Sequence, residues 1–195
     1  MNNSEITEQV YLSATAIRKN INNDKIEKYL SREMFSDLKK VSKGTEEDIY
    51  PYLRYKILSL GKVGIEKIYD VNEGLENRIY EASIKSESYS NLVELIATKR
   101  YSNKRIQRVL LHILTNTSKE DYAKYFSTKN FRVLAVKKKK ASIIRDINKQ
   151  GEIALYSVLN SKNSMYFEQD IKVARIYEML VSGEDIFRGN IKIID

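Results

Sequence analysis

Apolar residues in this chain recur mostly at intervals of three and four, and one Pro and seven Gly among 195 residues are too few to break that rhythm. Helices must therefore supply most of the structure, and at least six are expected. The first runs from Ser13 or Thr15 through Ile17, Ile21, Ile26 and Leu30, with an interruption at Asn22-Asn23-Asp24. A second covers Met34 to about Val41. The third takes Thr45 or Asp48 as N-cap, carries Pro51 in its first turns where a missing N–H costs least, and has Gly61 after its last turn. Asn72 can cap a helix bearing Leu75, Ile79 and Ala82, and Ser90 one bearing Leu92, Leu95 and Ile96. Further helices are expected over Asp121 to Phe126 and Asp170 to Leu180, while Arg132 to Val136 reads as a short strand or a helix start. The expected fold class is mainly α, a multi-helix domain with room for one short strand pair. No internal repeat is visible.

A hydrophobic content of 42% suffices for one sizeable core without disulfide or metal support. With no Cys and one His, thiol chemistry, disulfide scaffolding and Cys-ligated zinc are excluded, and no metal is expected to be ligated. No apolar run approaches the roughly 20 residues of a membrane span. The start, Met1-Asn-Asn-Ser-Glu5, has neither the basic residues nor the apolar stretch of a signal peptide, so a cytoplasmic location and no membrane partner are expected.

The net charge of +8 is unevenly spread. Leu95 to Arg145 holds fourteen Lys or Arg against Glu120 and Asp121, a net +12, which leaves the remainder at −4. The densest part is Thr98 to Leu114, where Lys99, Arg100, Lys104, Arg105 and Arg108 occur with no acid among them. From Ser102 onward Ile106, Val109, Leu110, Ile113 and Leu114 form an apolar stripe, with Arg105, Arg108 and His112 on the opposite one. Ser102 is the expected N-cap, which leaves Lys99, Arg100 and Tyr101 in the preceding turn. One face packs, and the other suits a polyanion. For Lys137-Lys-Lys-Lys140, a composition rich in Lys, Ile and Asn is an equal explanation.

Tyr outnumbers Phe, 14 to 5, and several Tyr adjoin cations: Tyr52 and Tyr55 near Arg54 and Lys56, Tyr101 near Arg100, Tyr122 and Tyr125 near Lys124. Interleaving of this kind suits base stacking with phosphate pairing, although a Tyr at a core edge with its hydroxyl in water gives the same pattern. Tyr101 is singled out as a contact residue. His112 has no carboxylate or nucleophile at helical spacing and reads as a surface contact rather than a catalytic group. Glu46, Glu47 and Asp48 suit the first turn of a helix.

In Leu12-Ser-Ala-Thr-Ala-Ile-Arg18 two hydroxyls precede a helix and a guanidinium follows one turn later, the components of a phosphate cradle. The string is similar to the (I/L)-S-x-T-x-I-R signature that closes the nucleotide site in the nucleotidyltransferase α/β superfamily. In that superfamily it follows a domain opened by H-x-G-H, which a chain with His112 alone cannot contain; a P-loop and G-x-G-x-x-G are absent too. Residues 1–20 are accordingly expected to be the trailing edge of a missing nucleotidyltransferase-like domain, and 21–195 an α-helical RNA-binding domain.

Four blocks carry a closer resemblance: Tyr50-Pro-Tyr-Leu-Arg-Tyr-Lys-Ile-Leu58, Asn72-Glu-Gly-Leu-Glu-Asn-Arg-Ile79, the basic stretch Lys99 to Leu114, and Asp170-Ile-Lys-Val-Ala-Arg-Ile-Tyr177. In order and spacing they resemble the C-terminal region of the bacterial tRNA(Met) cytidine acetate ligases. Ala14 replaces a common Ser, and Lys137 to Lys140 replace an Asn- or Gly-containing turn. The resemblance implies an ATP-dependent ligase that makes an acetyl-adenylate and acetylates the wobble cytidine of elongator tRNA(Met). By position, Ser13, Thr15 and Arg18 match the nucleotide-phosphate motif, and Lys99, Arg100, Tyr101, Lys104, Arg105 and Arg108 form the block assigned to tRNA. Asn77 and Arg78 are left outside the site, because an Arg paired with Glu73, Glu76 or Glu81 explains them equally well. On this reading ATP is bound mainly by the missing N-terminal catalytic domain, itself a partner, and the fragment alone is inactive without measurable ATP affinity. The alternative is a helical protein-interaction module whose basic face docks an acidic partner.

Overall fold

Side-chain caps fix where most of the helices begin. The computed structural model describes residues 12–20, 23–40, 44–180 and 192–194. It divides into two compact units, Met1–Lys43 and Gly44–Asp195. In the first, the Ser13 hydroxyl accepts from the Ala16 N–H at 3.2 Å and opens α1, Ala14–Lys19. Asn23 then caps a 3-10 turn over Asp24–Tyr29, and α2 spans Arg32–Lys40.

In the second unit α3, Glu46–Glu66, starts from a reciprocal capping box between Thr45 and Asp48. Gly61 does not end this helix as expected. It takes φ 60, ψ 178, a region closed to residues with a Cβ, so the helix kinks there and resumes to Glu66. Next come α4, Leu75–Lys85, and α5, Tyr89–Ile96, and both of their expected caps are corrected. Gly74 at φ 80 precedes α4, while Asn72 contributes only its carbonyl, to Leu75. Ser88, not Ser90, caps α5, and the distant Glu47 carboxylate takes the Tyr89 and Ser90 N–H groups at 2.8 and 3.1 Å. The basic helix α6 covers Asn103–Leu114 behind Ser102, and α7 covers Lys119–Phe126 behind Ser118.

Helices α3 to α6 enclose the core: Leu53, Ile57, Ile65, Leu75, Ile79, Leu92, Ile96, Ile106, Leu110 and Ile113 are fully shielded or nearly so. Each such side chain contributes about 1.5–3 kcal/mol by leaving water. Polar side chains also join α3 to the α4 region. The Tyr50 hydroxyl donates to the Ser86 carbonyl at 2.6 Å, and Lys62 pairs with Glu81 at 2.9 Å.

Past α7 the expectation of a mainly α chain with room for one strand pair is corrected. β1, Asn130–Arg132, pairs in parallel with β3, Ala154–Tyr156; β2, Ala135–Lys137, pairs in parallel with β4, Lys192–Ile194. The unforeseen helix α8, Ser142–Gln150, lies in the crossover between β1 and β3. Two parallel pairs with a helix in the connection give this part an α/β organisation. Three-residue strands leave no alternation to read, and each parallel partner lies a whole crossover away in sequence. A last helix, α9, spans Glu168–Leu180. Its Lys172 ammonium donates to the Thr115 carbonyl at the end of α6 at 3.2 Å.

Candidate functional site

The turn before α6 is built around a buried ring. Thr98 and Tyr101 exchange backbone hydrogen bonds at 3.0 and 3.1 Å, which tightens the turn and carries Tyr101 into the core at 6% exposure. Two guanidinium groups sit over its ring, Arg105 at 4.9 Å and Arg100 at 5.4 Å. Tyr101 thus positions cations and does not itself offer an open face; among the described residues its buried hydroxyl has no hydrogen-bond partner.

Around it Lys99, Arg100, Lys104 and Arg108 are exposed, and Arg105 is half-buried. The structure brings all five cations to one stretch but does not leave them equivalent. Arg105 holds Asp70 with two nitrogens, at 2.8 and 3.4 Å, so its charge is largely neutralised. Arg108, one turn along the exposed side, forms no such ion pair among the described residues. Rather than pairing with Glu73, Glu76 or Glu81, Arg78 donates to the carbonyls of Ile96, Leu95 and Ala97 at 2.7, 2.9 and 3.4 Å, closing the end of α5 just before the basic turn. Asn77 donates to Glu76.

His112 is half-buried beside Tyr69 and Tyr122. Burial pushes its imidazole below the usual histidine range; the Asp70 carboxylate opposes this and the Arg108 charge reinforces it. The Tyr69 phenol is pushed up, first by its hydrogen bond with Tyr122 and then by burial. Sequence reasoning missed Asp70 and Tyr69, both of which reach the basic helix from far away in the chain.

In the first unit Ser13 is exposed at the start of α1. Thr15 and Arg18 follow on the same helix, but their side chains lie outside the described residues. Among the described residues no group of His, Asp and Glu is arranged to hold a metal, and no helix is long and apolar enough to cross a membrane.

Fold and site together define a helix-rich α/β protein with a cationic, aromatic-edged face of the kind that suits nucleotide or polynucleotide phosphate. A sequence model of the HIGH nucleotidyl transferase family matches residues 1–189, and the chain belongs to that family. It is similar to the tRNA(Met) cytidine acetate ligase of Bacillus subtilis, 35% identical over 69% of this chain and 33% of that protein. The Clostridium botulinum (strain Okra) protein of the same name is 32% identical over 92% of this chain and 47% of its own length. Two crystal structures of Thermotoga maritima TmcAL share the fold at 20% identity and TM-score 0.77. The apo form I match covers 96% of this chain and 51% of that one; the form bound with alpha-thio ATP matches over 92% and 50%. The chain thus spans about half the length of these relatives, or less.

These matches correct three expectations. A C-terminal helical region lacking the nucleotidyltransferase domain is not what the family match describes, since it runs from residue 1 to 189. The mainly α fold class, with room for one strand pair, gives way to the fold shared with TmcAL. The inactive tRNA-binding fragment, with ATP held mainly by another domain, falls with them. The match does not depend on an H-x-G-H string, because the chain has one His.

Proposed function

We propose that this chain acts in the ATP-dependent acetylation of a tRNA(Met) cytidine, binding ATP itself and meeting the tRNA with the exposed cations around α6. The observation that supports this most is the alignment of tRNA(Met) cytidine acetate ligases over 92% of the chain. The chemistry needs two steps. An acetate oxygen attacks the α-phosphorus of ATP and pyrophosphate leaves; the cytidine amine then attacks the acetyl carbonyl, AMP leaves and the amine loses a proton.

Ser13, Thr15 and Arg18 are the proposed ATP-phosphate residues. The Ser13 oxygen accepts the Ala16 N–H, so its own proton is available to a phosphate oxygen. Lys99, Arg100, Lys104 and Arg108 are the proposed tRNA-phosphate contacts, with Tyr101 holding Arg100 and Arg105 in place. Acting on tRNA places the protein in the cytoplasm.

Calorimetric titration of the 195-residue chain with ATP tests the first part: a saturable signal that Arg18→Ala abolishes is expected, and no heat from the wild type overturns it. A tRNA(Met) transcript titrated at several salt concentrations tests the second. Its log affinity should fall linearly with log salt, and absence of retention at low salt would overturn it.

A further inference from the structure

Backbone hydrogen bonds join the segment before Asp70 to the start of α7. Ile68 and Ser118 form an isolated antiparallel bridge, the Tyr69 N–H donates to the Thr117 carbonyl at 3.0 Å, and the Lys119 N–H donates to the Lys67 carbonyl at 3.1 Å. Asp70 and Asn116, both left-handed at φ 64 and 52, turn the chain at the edges of this junction. The junction lays the ring of Tyr69 flat on that of Tyr122, centroids 3.4 Å apart and planes within 8°.

His112 stands upright against the stack, 88° and 5.3 Å from Tyr69, 83° and 6.2 Å from Tyr122. A ring placed over an outer face of the pair would be farther from the second ring than from the first by nearly the whole stacking distance. The two distances differ by much less, so the imidazole lies beside the pair and covers neither outer face. An open concavity lined by Tyr69, Tyr122, Ala123 and Ser127 borders the stack, the latter two being small and exposed. Arg108, exposed on α6, is close enough for its charge to act on both Tyr69 and His112. Flat aromatic faces held rigidly beside a guanidinium are what an unstacked base and its phosphate require.

We propose that the Tyr69–Tyr122 stack is a platform for an unpaired nucleobase of RNA, with Arg108 meeting the adjoining phosphate. This rests on the reading that the chain binds tRNA. The pair prolongs the cationic face of α6 into an aromatic shelf. A base seated on a flat face is held by stacking rather than by charge, so its loss should weaken binding at every salt concentration alike.

The chain has no Trp, so Tyr122→Trp introduces the sole indole. Its emission should be quenched saturably by a tRNA(Met) transcript and left unchanged by ATP. Tyr122→Leu should weaken tRNA binding about 5- to 100-fold with the salt slope unaltered, while Tyr122→Phe keeps wild-type affinity. Flat Tyr122→Trp emission while filters still retain the tRNA, quenching by ATP alone, or wild-type affinity in Tyr122→Leu would each overturn the platform and leave tRNA binding standing. Failure of the wild type to retain tRNA would overturn both.

Discussion

Asp70 and Arg105, 35 positions apart, form a two-point ion pair, Nη2 to Oδ1 at 2.8 Å and Nε to Oδ2 at 3.4 Å, with about a quarter of each side chain exposed. Asp70 also sits at φ 64, so it serves the pair and the turn together. Asn tolerates the left-handed region and Ala does not. Asp70→Asn should lower stability by about 1 kcal/mol, the worth of a partly shielded charged hydrogen bond. Asp70→Ala should cost about 1 kcal/mol more through the backbone. Urea denaturation measures both, and equal stabilities would remove the backbone contribution.

His112 provides a pH test with one resonance to follow, since the chain has a single His. Its folded pKa lies below the ordinary 6.5 because burial disfavours the imidazolium. The unfolded chain therefore takes up the proton first. Above 6.5 both states are neutral and nothing changes; as the pH falls through 6.5 toward the folded value, stability is lost. An NMR titration should place the midpoint below 6.5, and His112→Gln should lessen the loss of stability on mild acidification. A midpoint above 6.5 would show that Asp70, not burial, governs the ring.

Glu47 joins α3 to the N-terminus of α5, accepting from the Tyr89 and Ser90 N–H groups and the Ser90 hydroxyl. The Tyr89 N–H, first among these, holds its carboxyl below the ordinary range. A depressed carboxylate contributes stability above its unfolded pKa of about 4.5 and loses it as the pH falls through the folded value. Glu47→Gln should then cost about 1 kcal/mol at neutral pH, like a lost N-cap. The gap between mutant and wild type should close in acid; a gap constant down to acid pH would assign the loss to packing.

The legible parts of this fold are the local ones. Thr45 with Asp48 three residues on, and Ser102 ahead of an apolar stripe, announce α3 and α6, because a cap and its helix lie within one turn of sequence. The start of α5 is less legible, because the carboxylate that joins Ser88 in completing it comes from Glu47, on another helix. The parallel strand pairs are hidden for the same reason, as Asn130 meets Ala154 only through a crossover. At the site, the cations were visible as a cluster, but which of them Asp70 neutralises was not. Tyr122 stands near Lys124 in the sequence, whereas its stacking partner Tyr69 depends on the Ile68–Ser118 bridge.

That neutralisation separates two arginines the sequence treats alike. Arg108 is exposed, and a phosphate bound there releases counterions, so Arg108→Gln should weaken tRNA binding and flatten the log K against log salt slope by about 0.7–1. Arg105 already spends its charge on Asp70, and a phosphate would have to displace that carboxylate. Arg105→Gln should therefore change the slope far less while lowering thermal stability, because it strands a half-buried carboxylate. Asp70→Asn inverts the arrangement: it frees the guanidinium, and tRNA affinity should rise as stability falls. Filter binding across a salt series, run on the three variants beside their melting curves, decides the matter. Equal slopes for Arg105→Gln and Arg108→Gln would show that Asp70 yields Arg105 to the RNA.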